Sequence, residues 1–484
     1  MISSELRAVF DKSHASWTVS EANDFCRLLL SSFEQLEQRV KSLEDQLAIN
    51  SSNSSKPPSK DNFKSPKKRS LRKPSGKTPG GQPGHPGRGK RLTDSPDDTV
   101  KYEVTECPDC GRNLSEVPVD GIIRRQVEDL PPIQTFVIEH QLELKTCPCC
   151  AVQWQAGGCP IDNEFEYGPR IKAISVYLSA FQFIPALRTK QMLSVFGVEL
   201  STGSLDNFRR RAARELRPFV RRLAQSIRQS TAAFFDETGM KVSGLSHWVH
   251  VAATSLMTLF CLHAKRGRQA HQDMNVLPDF EGILHRDDYH SYHTYDKAKH
   301  SLCNAHLLRD LKFAIERDAQ ASWAEPLIEL LLKIKEQVER SDGGVLCPAW
   351  QGRHRRAYQR IIAEGLRLNP PATKKDGSRR GRTAQSKTVN LLLRFQQQEE
   401  AILRFMTDAE ARFDNNQAER DLRMNKVRQK ISGGFRSKEA GEEFMSIRSL
   451  ISTAIKQGAD PIEQLVAVFT PGDKSYMALA HSPE

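Results

Sequence analysis

AAFFDETGMKV at residues 232–242 and FEGILHRD at 280–287 each carry an apolar run up to an acid, Asp236 in the first and Asp287 at the end of the second. Between them stand HWVHVAAT (247–254) and MTLFCLHA (257–264), so short apolar segments alternate with glycine or polar turns and predict three or four strands of one sheet. Open sheets hold ligands beyond their strand ends, which is where both acids would stand. A third acid, Glu419, lies in RFDNNQAERDLRMNKVRQK (412–430), which opens a helix with Asn416, Glu419, Arg420 and Arg423 on one face. Singly, each acid has a plainer reading, as a strand-end turn residue or, for Asn416 with Glu419, as a capping box. Together they predict a mixed α/β core in which three carboxylates meet.

Three acids at one point suit divalent metal. Mg2+ (or Mn2+) takes octahedral oxygen ligation from carboxylates, water and substrate phosphate. Two such ions about 4 Å apart activate an attacking oxygen and stabilise a leaving one in phosphodiester chemistry. Asp287 is the expected bridging ligand, flanked by Asp236 and Glu419. Nearby cations fit a DNA backbone: His306 and Arg309 in CNAHLLRD, then Arg420, Arg423, Lys426, Arg428 and Arg436, the last in a GGFRSK turn whose amides suit phosphate. The spacing of His285, His290 and His293 fits no zinc helix motif, and they read as loop histidines.

The whole chain has 484 residues with 71 Lys and Arg against 59 Asp and Glu, a net charge of +12. That excess favours a polyanionic partner through counterion release. From Lys56 to Arg91 stand twelve Lys or Arg and one acid, so 12 minus 1 gives +11, nearly the entire excess. No apolar run reaches the length of a membrane span and the start lacks a signal-peptide pattern, which predicts no membrane partner and a cytoplasmic, nucleoid-associated protein. Ten cysteines are too sparse for a disulfide scaffold, yet five lie between 107 and 150. Cys107-Pro-Asp-Cys110 and Cys147-Pro-Cys149-Cys150 read as two knuckles of a structural Zn2+ site held by Cys107, Cys110, Cys147 and Cys150, with Cys149 a competing ligand. The alternating apolar residues between them predict strands.

The remaining segments fall in order. A coiled-coil helix is expected over 20–49, with Leu29, Leu36 and Leu43 at one heptad position and Phe33, Val40 and Leu47 at the other. A basic disordered linker follows over 50–92, then a zinc-ribbon-like domain over 100–160. Residues 165–230 read as helical with a helix-turn-helix at Gly197, a cap at Ser201 or Thr202, and Asn207, Arg209, Arg210 and Arg211 facing DNA. The core's first part would span 231–300, a helical insertion 301–406, the acid-bearing helix 407–460 and a C-terminal tail 461–484.

NSSKPPSKD, GGQPGHPG, CPDCG, FFDETG with HWVHV, RDDYHSY, CNAHLLRDL and DNNQAERDLRMNKVRQKISGGFRS, in this order, resemble the DDE transposases of the insertion sequence 66 family of bacteria. The resemblance implies an RNase H-like catalytic core interrupted by a helical insertion, with Asp236, Asp287 and Glu419 as catalytic trio. It implies cleavage at transposon ends, joining of the freed 3′-OH to target DNA, an oligomer on DNA, and small accessory proteins of the same element as partners. The family's second motif commonly has glycine after the acid, whereas Asp288 follows Asp287 here, so the second acid lies between these two. A catalytically inactive DNA-binding regulator and a purely hydrolytic nuclease are the alternatives.

Overall fold

The computed structural model describes residues 18–50, 53, 82, 84, 90–161, 163–317, 321–372 and 383–481. The basic linker over 50–92 lies almost wholly outside the described residues. Two units are distinguished, residues 69–139 with Phe196–Val198 in one and the rest in the other.

In the larger unit the first described element is α1 (Val19–Ala48). It is a single helix whose heptad residues Leu36, Leu43 and Leu47 are exposed by 58%, 52% and 86%, so no coiled-coil partner covers them among the described residues. Asp45 ties its end to Arg317 (2.9 Å) and Lys387 (2.6 Å). A short antiparallel pair follows, β1 (Leu144–Thr146) and β2 (Gln153–Gln155). Helices α2 (Pro169–Ala180), α3 (Ala186–Ser194), α4 (Thr202–Glu215) and α5 (Arg217–Arg228) come next. Ser201 caps α4 by accepting from the Ser204 amide at 3.0 Å, as its sequence position predicts.

The sheet then forms from β3 (Ala232–Val242), β4 (Leu245–Ala253), β5 (Thr258–His263), β6 (Ile283–Arg286) and β7 (Lys299–Leu302), ordered β5-β4-β3-β6-β7. Strands β3, β4 and β5 are antiparallel neighbours, while β6 and β7 run parallel to β3. Ser243 and Gly244 turn β3 into β4 with φ of +48° and +79°, the sign pattern of a type I′ hairpin that matches strand twist. The fifth strand, KHSL, was absent from the sequence reading, which starts the helical region there. Four residues with Lys299 and His300 in them carry no strand pattern, and only the pairing with β6 makes them one.

The insertion holds α7 (Asn304–Arg317), α8 (Ala324–Arg340), α9 (Pro348–Leu368), α10 (Lys387–Gln397) and α11 (Glu399–Leu403), while α6 (Arg268–Met274) precedes β6. Leu307, Leu311, Trp323, Leu331, Tyr358, Leu392 and Phe395 form its core, which runs without a break into Ile283 and Leu302 of the sheet. The insertion is therefore packed on the sheet and is not a separate body. After it come α12 (Asn416–Ser432), crossing β3 and β4, then α13 (Lys438–Lys456) along β5 and α14 (Pro461–Phe469).

One expectation is corrected by this packing. Residues 461–481 are not a tail: Leu465, Phe469, Tyr476 and Leu479 are buried, and α14 packs on α2. Helices α4 and α5 pack on α13 through their apolar faces (Phe208, Phe219, Leu223, Ile227). At the margin of the sheet, Ser449 and Thr453 of α13 accept from the amides of Phe260 (2.9 Å) and Thr258 (3.1 Å). At the opposite margin α11 lies along β7, and Arg404 Nε donates to the His300 carbonyl at 2.7 Å.

In the smaller unit no strand is present among the described residues of 114–139, where strands were expected. Val119, Ile122, Ile123 and Val127 are 79–95% exposed, so the alternation has no sheet face to bury and no ladder to join.

Candidate active site

The parallel register of β3 and β6 pairs Phe234 with His285. Two residues further along each strand direction stand Asp236 and Asp287, which places the two acids side by side. Asp236 Oδ1 accepts from the Glu237 amide at 2.8 Å. Burial lifts its pKa well above the usual range, and the negative charges of Glu237, Asp287 and Glu419 add to that rise. The three acids of the sequence reading thus lie within one another's field.

Glu419 is delivered by the first turn of α12. Asn415, just before it, donates Nδ2 to the Phe235 carbonyl (2.7 Å) and its amide to Cys303 Sγ (3.2 Å), which pins the helix start to β3 and to the head of α7. The capping-box alternative does not form: the Asn416 amide is taken by Asp414 Oδ1 at 3.1 Å. Glu419 Oε1 is buried without a hydrogen-bond partner among the described residues, 3.6 Å from His306 Nε2. Cys303, His306 and Glu419 bring ligand atoms within 4.8 Å of one another. Burial pushes the His306 pKa down, against the pull of Glu419 and Asp287.

Asp287 and Asp288 have different surroundings. Asp287 Oδ1 accepts from the Tyr289 amide at 2.9 Å, and its carboxylate acts on Asp236. Asp288 is surrounded by Arg394 Nε of the insertion (2.9 Å), His293 Nε2 of the following turn (3.1 Å) and Arg286 Nη1 of β6 (3.7 Å). A divalent cation fits this donor set. The acids repel one another, the buried Glu419 Oε1 has no hydrogen-bond partner among the described residues, and all-oxygen ligands suit a hard ion. The residues that would hold it are Asp236, Asp287 and Glu419.

The cations expected to meet DNA divide. Arg420, Arg423 and Arg436 are exposed, and Arg309 is half-buried; none of the four forms an ion pair among the described residues. Lys426 instead donates to the Gly239 carbonyl. Arg428 lies flat over Phe435, 3.7 Å from the ring centre, and burial lowers its pKa to about 10, so it serves packing. The glycine turn is also used internally: the Phe435 amide donates to the Lys241 carbonyl at 2.8 Å. On α4, Arg209 pairs with Glu443 (2.8 Å) and Arg211 with Glu166 (3.1 Å), leaving Asn207 and Arg210 exposed.

The two cysteine knuckles fall in different units and share one local geometry. The Cys107 carbonyl accepts from the Gly111 amide and its amide donates to Arg112, both at 2.9 Å; Cys147 does the same with Ala151 and Val152. Both fifth residues are left-handed, Gly111 at φ +70° and Ala151 at +56°. The amides of Asp109 and Cys110 lower the Cys107 thiol pKa, and those of Cys150 and Cys149 lower that of Cys147. Thiolates so stabilised suit a metal. Cys149 contributes its amide here, as Asp109 does in the first knuckle.

Sequence reasoning missed Glu237, Arg266, Tyr292 and Asn415. Glu237 is buried beside Asp236, with Arg266 Nε at 2.6 Å and Tyr292 OH at 2.6 Å on its two oxygens. The signal was there in DET, where a second acid inside an apolar strand demands partners.

A mixed sheet with flanking helices, gathering three acids and preceded by paired CxxC knuckles, has the make-up of a transposase core. A family model described as "Transposase IS66 family" matches residues 165–443, more than half of the chain. The chain belongs to the IS66 transposase family. The model of the "zinc-finger binding domain of transposase IS66" matches 105–151, which supports a structural zinc, and a family of unknown function matches 5–91. A protein of Sinorhizobium fredii (strain NBRC 101917 / NGR234), "Uncharacterized protein y4jD", is 25% identical over 325 residues, and the match spans 61% of each chain.

Proposed function

We propose that the protein is a metal-dependent DDE transposase that cleaves DNA at the ends of an insertion sequence and joins the 3′-OH ends to target DNA. What supports this reading is that Asp287, after the end of β6, and Glu419, in the first turn of α12, both act on the buried Asp236 of β3. The order of antiparallel β3, β4 and β5 beside parallel β6 and β7 favours an RNase H-like type for the core. Two Mg2+ or Mn2+ ions held by the three carboxylates would supply activation of the attacking oxygen and charge for the leaving one.

The chain's own residues do the remainder. Asn415 fixes the angle at which Glu419 enters the site. His306 stands against Glu419, and Arg309, Arg420 and Arg423 hold DNA backbone around the scissile phosphate. Cys107, Cys110, Cys147 and Cys150 hold zinc, and the basic segment 56–91 adds non-specific DNA affinity. The substrate is transposon-end and target DNA, bound by a homo-oligomer that small proteins of the same element assist. No helix among the described residues is long and apolar enough to cross a membrane.

Asp236→Asn, Asp287→Asn and Glu419→Gln each test the trio on duplexes carrying the element's ends in Mg2+ or Mn2+. Each change is expected to lower cleavage and joining by about 10²-fold or more. Full activity after any one change removes that residue from the mechanism. Pre-cut 3′-OH ends that are never joined would leave only hydrolysis.

A further inference from the structure

Glu237 is the acid that the reaction does not use. Its side chain is fully buried in β3, and both carboxylate oxygens are committed, Oε1 to Arg266 Nε and Oε2 to the Tyr292 hydroxyl, each at 2.6 Å. Both partners lead to the segment that carries Asp287. Arg266 turns its other arm toward Asp287, with Nη2 3.9 Å from Oδ2. Tyr292 stands in the single turn His290–Thr294 that follows Asp287 and Tyr289.

Aromatic rings pack against both partners of Glu237. The Arg266 guanidinium lies between two rings, 3.9 Å from the centre of Tyr289 and 4.9 Å from that of Trp248. The Tyr292 ring stacks on His271 with centres 4.9 Å apart, and His271 Nδ1 meets the Tyr295 hydroxyl at 3.1 Å. Asp287 therefore has the Tyr289 amide on one oxygen and Arg266 near the other, and both restraints trace back to Glu237. A buried acid is costly in a strand, and an apolar residue would pack there at less expense. Groups behind a metal ligand that fix its orientation commonly change metal affinity by 10–100-fold when removed.

We infer that Glu237 is a positioning residue that, through Arg266 and Tyr292, holds the Asp287 carboxylate in the orientation in which it ligates a divalent ion. This rests on the reading of Asp287 as a metal ligand. Loss of Glu237 then weakens metal binding in a chain that still folds, whereas a merely structural acid would lower the melting temperature and leave the folded protein's metal affinity unchanged.

Mn2+ alone is the probe, titrated into the full-length chain and followed by the loss of its free-ion paramagnetic resonance signal, alongside thermal melts. Glu237→Gln and Arg266→Lys are each expected to weaken Mn2+ binding about tenfold. Their double variant is expected to bind no more weakly than either single one, because both act through one clamp. Asp287→Asn is the reference. If it abolishes tight binding while Glu237→Gln stays within twofold of the parent, the inference is overturned and the reading of Asp287 stands. If Asp287→Asn binds like the parent, that reading falls and the inference with it. Should Glu237→Gln not fold, Arg266→Lys decides by the same twofold criterion, since Arg266 is partly exposed and its replacement keeps the charge.

Discussion

Gly434 shows how closely one residue fits its surroundings. A Cβ added there would stand 2.3 Å from the Lys241 carbonyl oxygen and 2.9 Å from its carbon, both backbone atoms that cannot swing away. Gly434→Ala should therefore push residues 433–436 off the β3–β4 hairpin, breaking the Phe435 to Lys241 bond and freeing Arg428 from its ring. Chemical denaturation is expected to show a loss of about 1–3 kcal/mol; an unchanged midpoint would mean that the segment relaxes freely. The sequence reading placed GGFRSK at the DNA because glycine turns expose amides. It missed that the turn lies against a strand, since nothing in the letters GG distinguishes a cradle for phosphate from a close approach to backbone. Asp287 follows the end of β6 and Glu419 stands in the first turn of α12, as their segments suggest, but Asp236 is not at a strand end: it lies within β3, paired with Val251, because the apolar run before it is only the first half of the strand. Glu237 was not legible, because an acid next to an acid looks like a repeat until its strand's alternation sends it to the other face.

Among elements, α1 is attached to the insertion chiefly through Asp45, which Lys387 and Arg317 hold below the ordinary aspartate pKa of 3.8. A depressed carboxylate stabilises the fold above its unfolded pKa and loses that contribution as pH falls through the folded value. The tether is thus complete at neutral pH and fades only below about pH 4. Asp45→Asn should weaken it by about 1–3 kcal/mol at pH 7. Hydrogen exchange across residues 19–48 would then quicken, and unaltered exchange would show that other contacts hold the helix. Strands β3 to β6 and the helices of the insertion were legible from apolar rhythm and punctuation. The strand β7 and the docking of α2–α5 were not, because pairing partners and apolar cover are set by residues far off in sequence. Arg394 illustrates this: it lies in the insertion, yet it occupies Asp288 and so leaves Asp287 as the acid beside Asp236.

At the scale of the molecule, positive charge and chemistry occupy separate stretches. Residues 56–91 carry +11 of the chain's +12. A chain lacking residues 1–92 should keep its fold and lose most non-specific DNA affinity. The slope of log affinity against log salt is expected to fall by several units; an unchanged slope would assign the phosphate contacts to the core. The order of segments was legible throughout, but the joining of helical region, core and C-terminal helices into one packed unit was not, since buried faces meet only in three dimensions. One further consequence follows from the margins of the sheet. Ser449 and Thr453 occupy amides at one border, and α11 with Arg404 covers the other. Both borders of the five-stranded sheet are occupied at these positions, which opposes strand exchange along it. A macromolecule docking on this part of the unit would meet helices and loops more readily than a strand border, and could leave again without any sheet being torn.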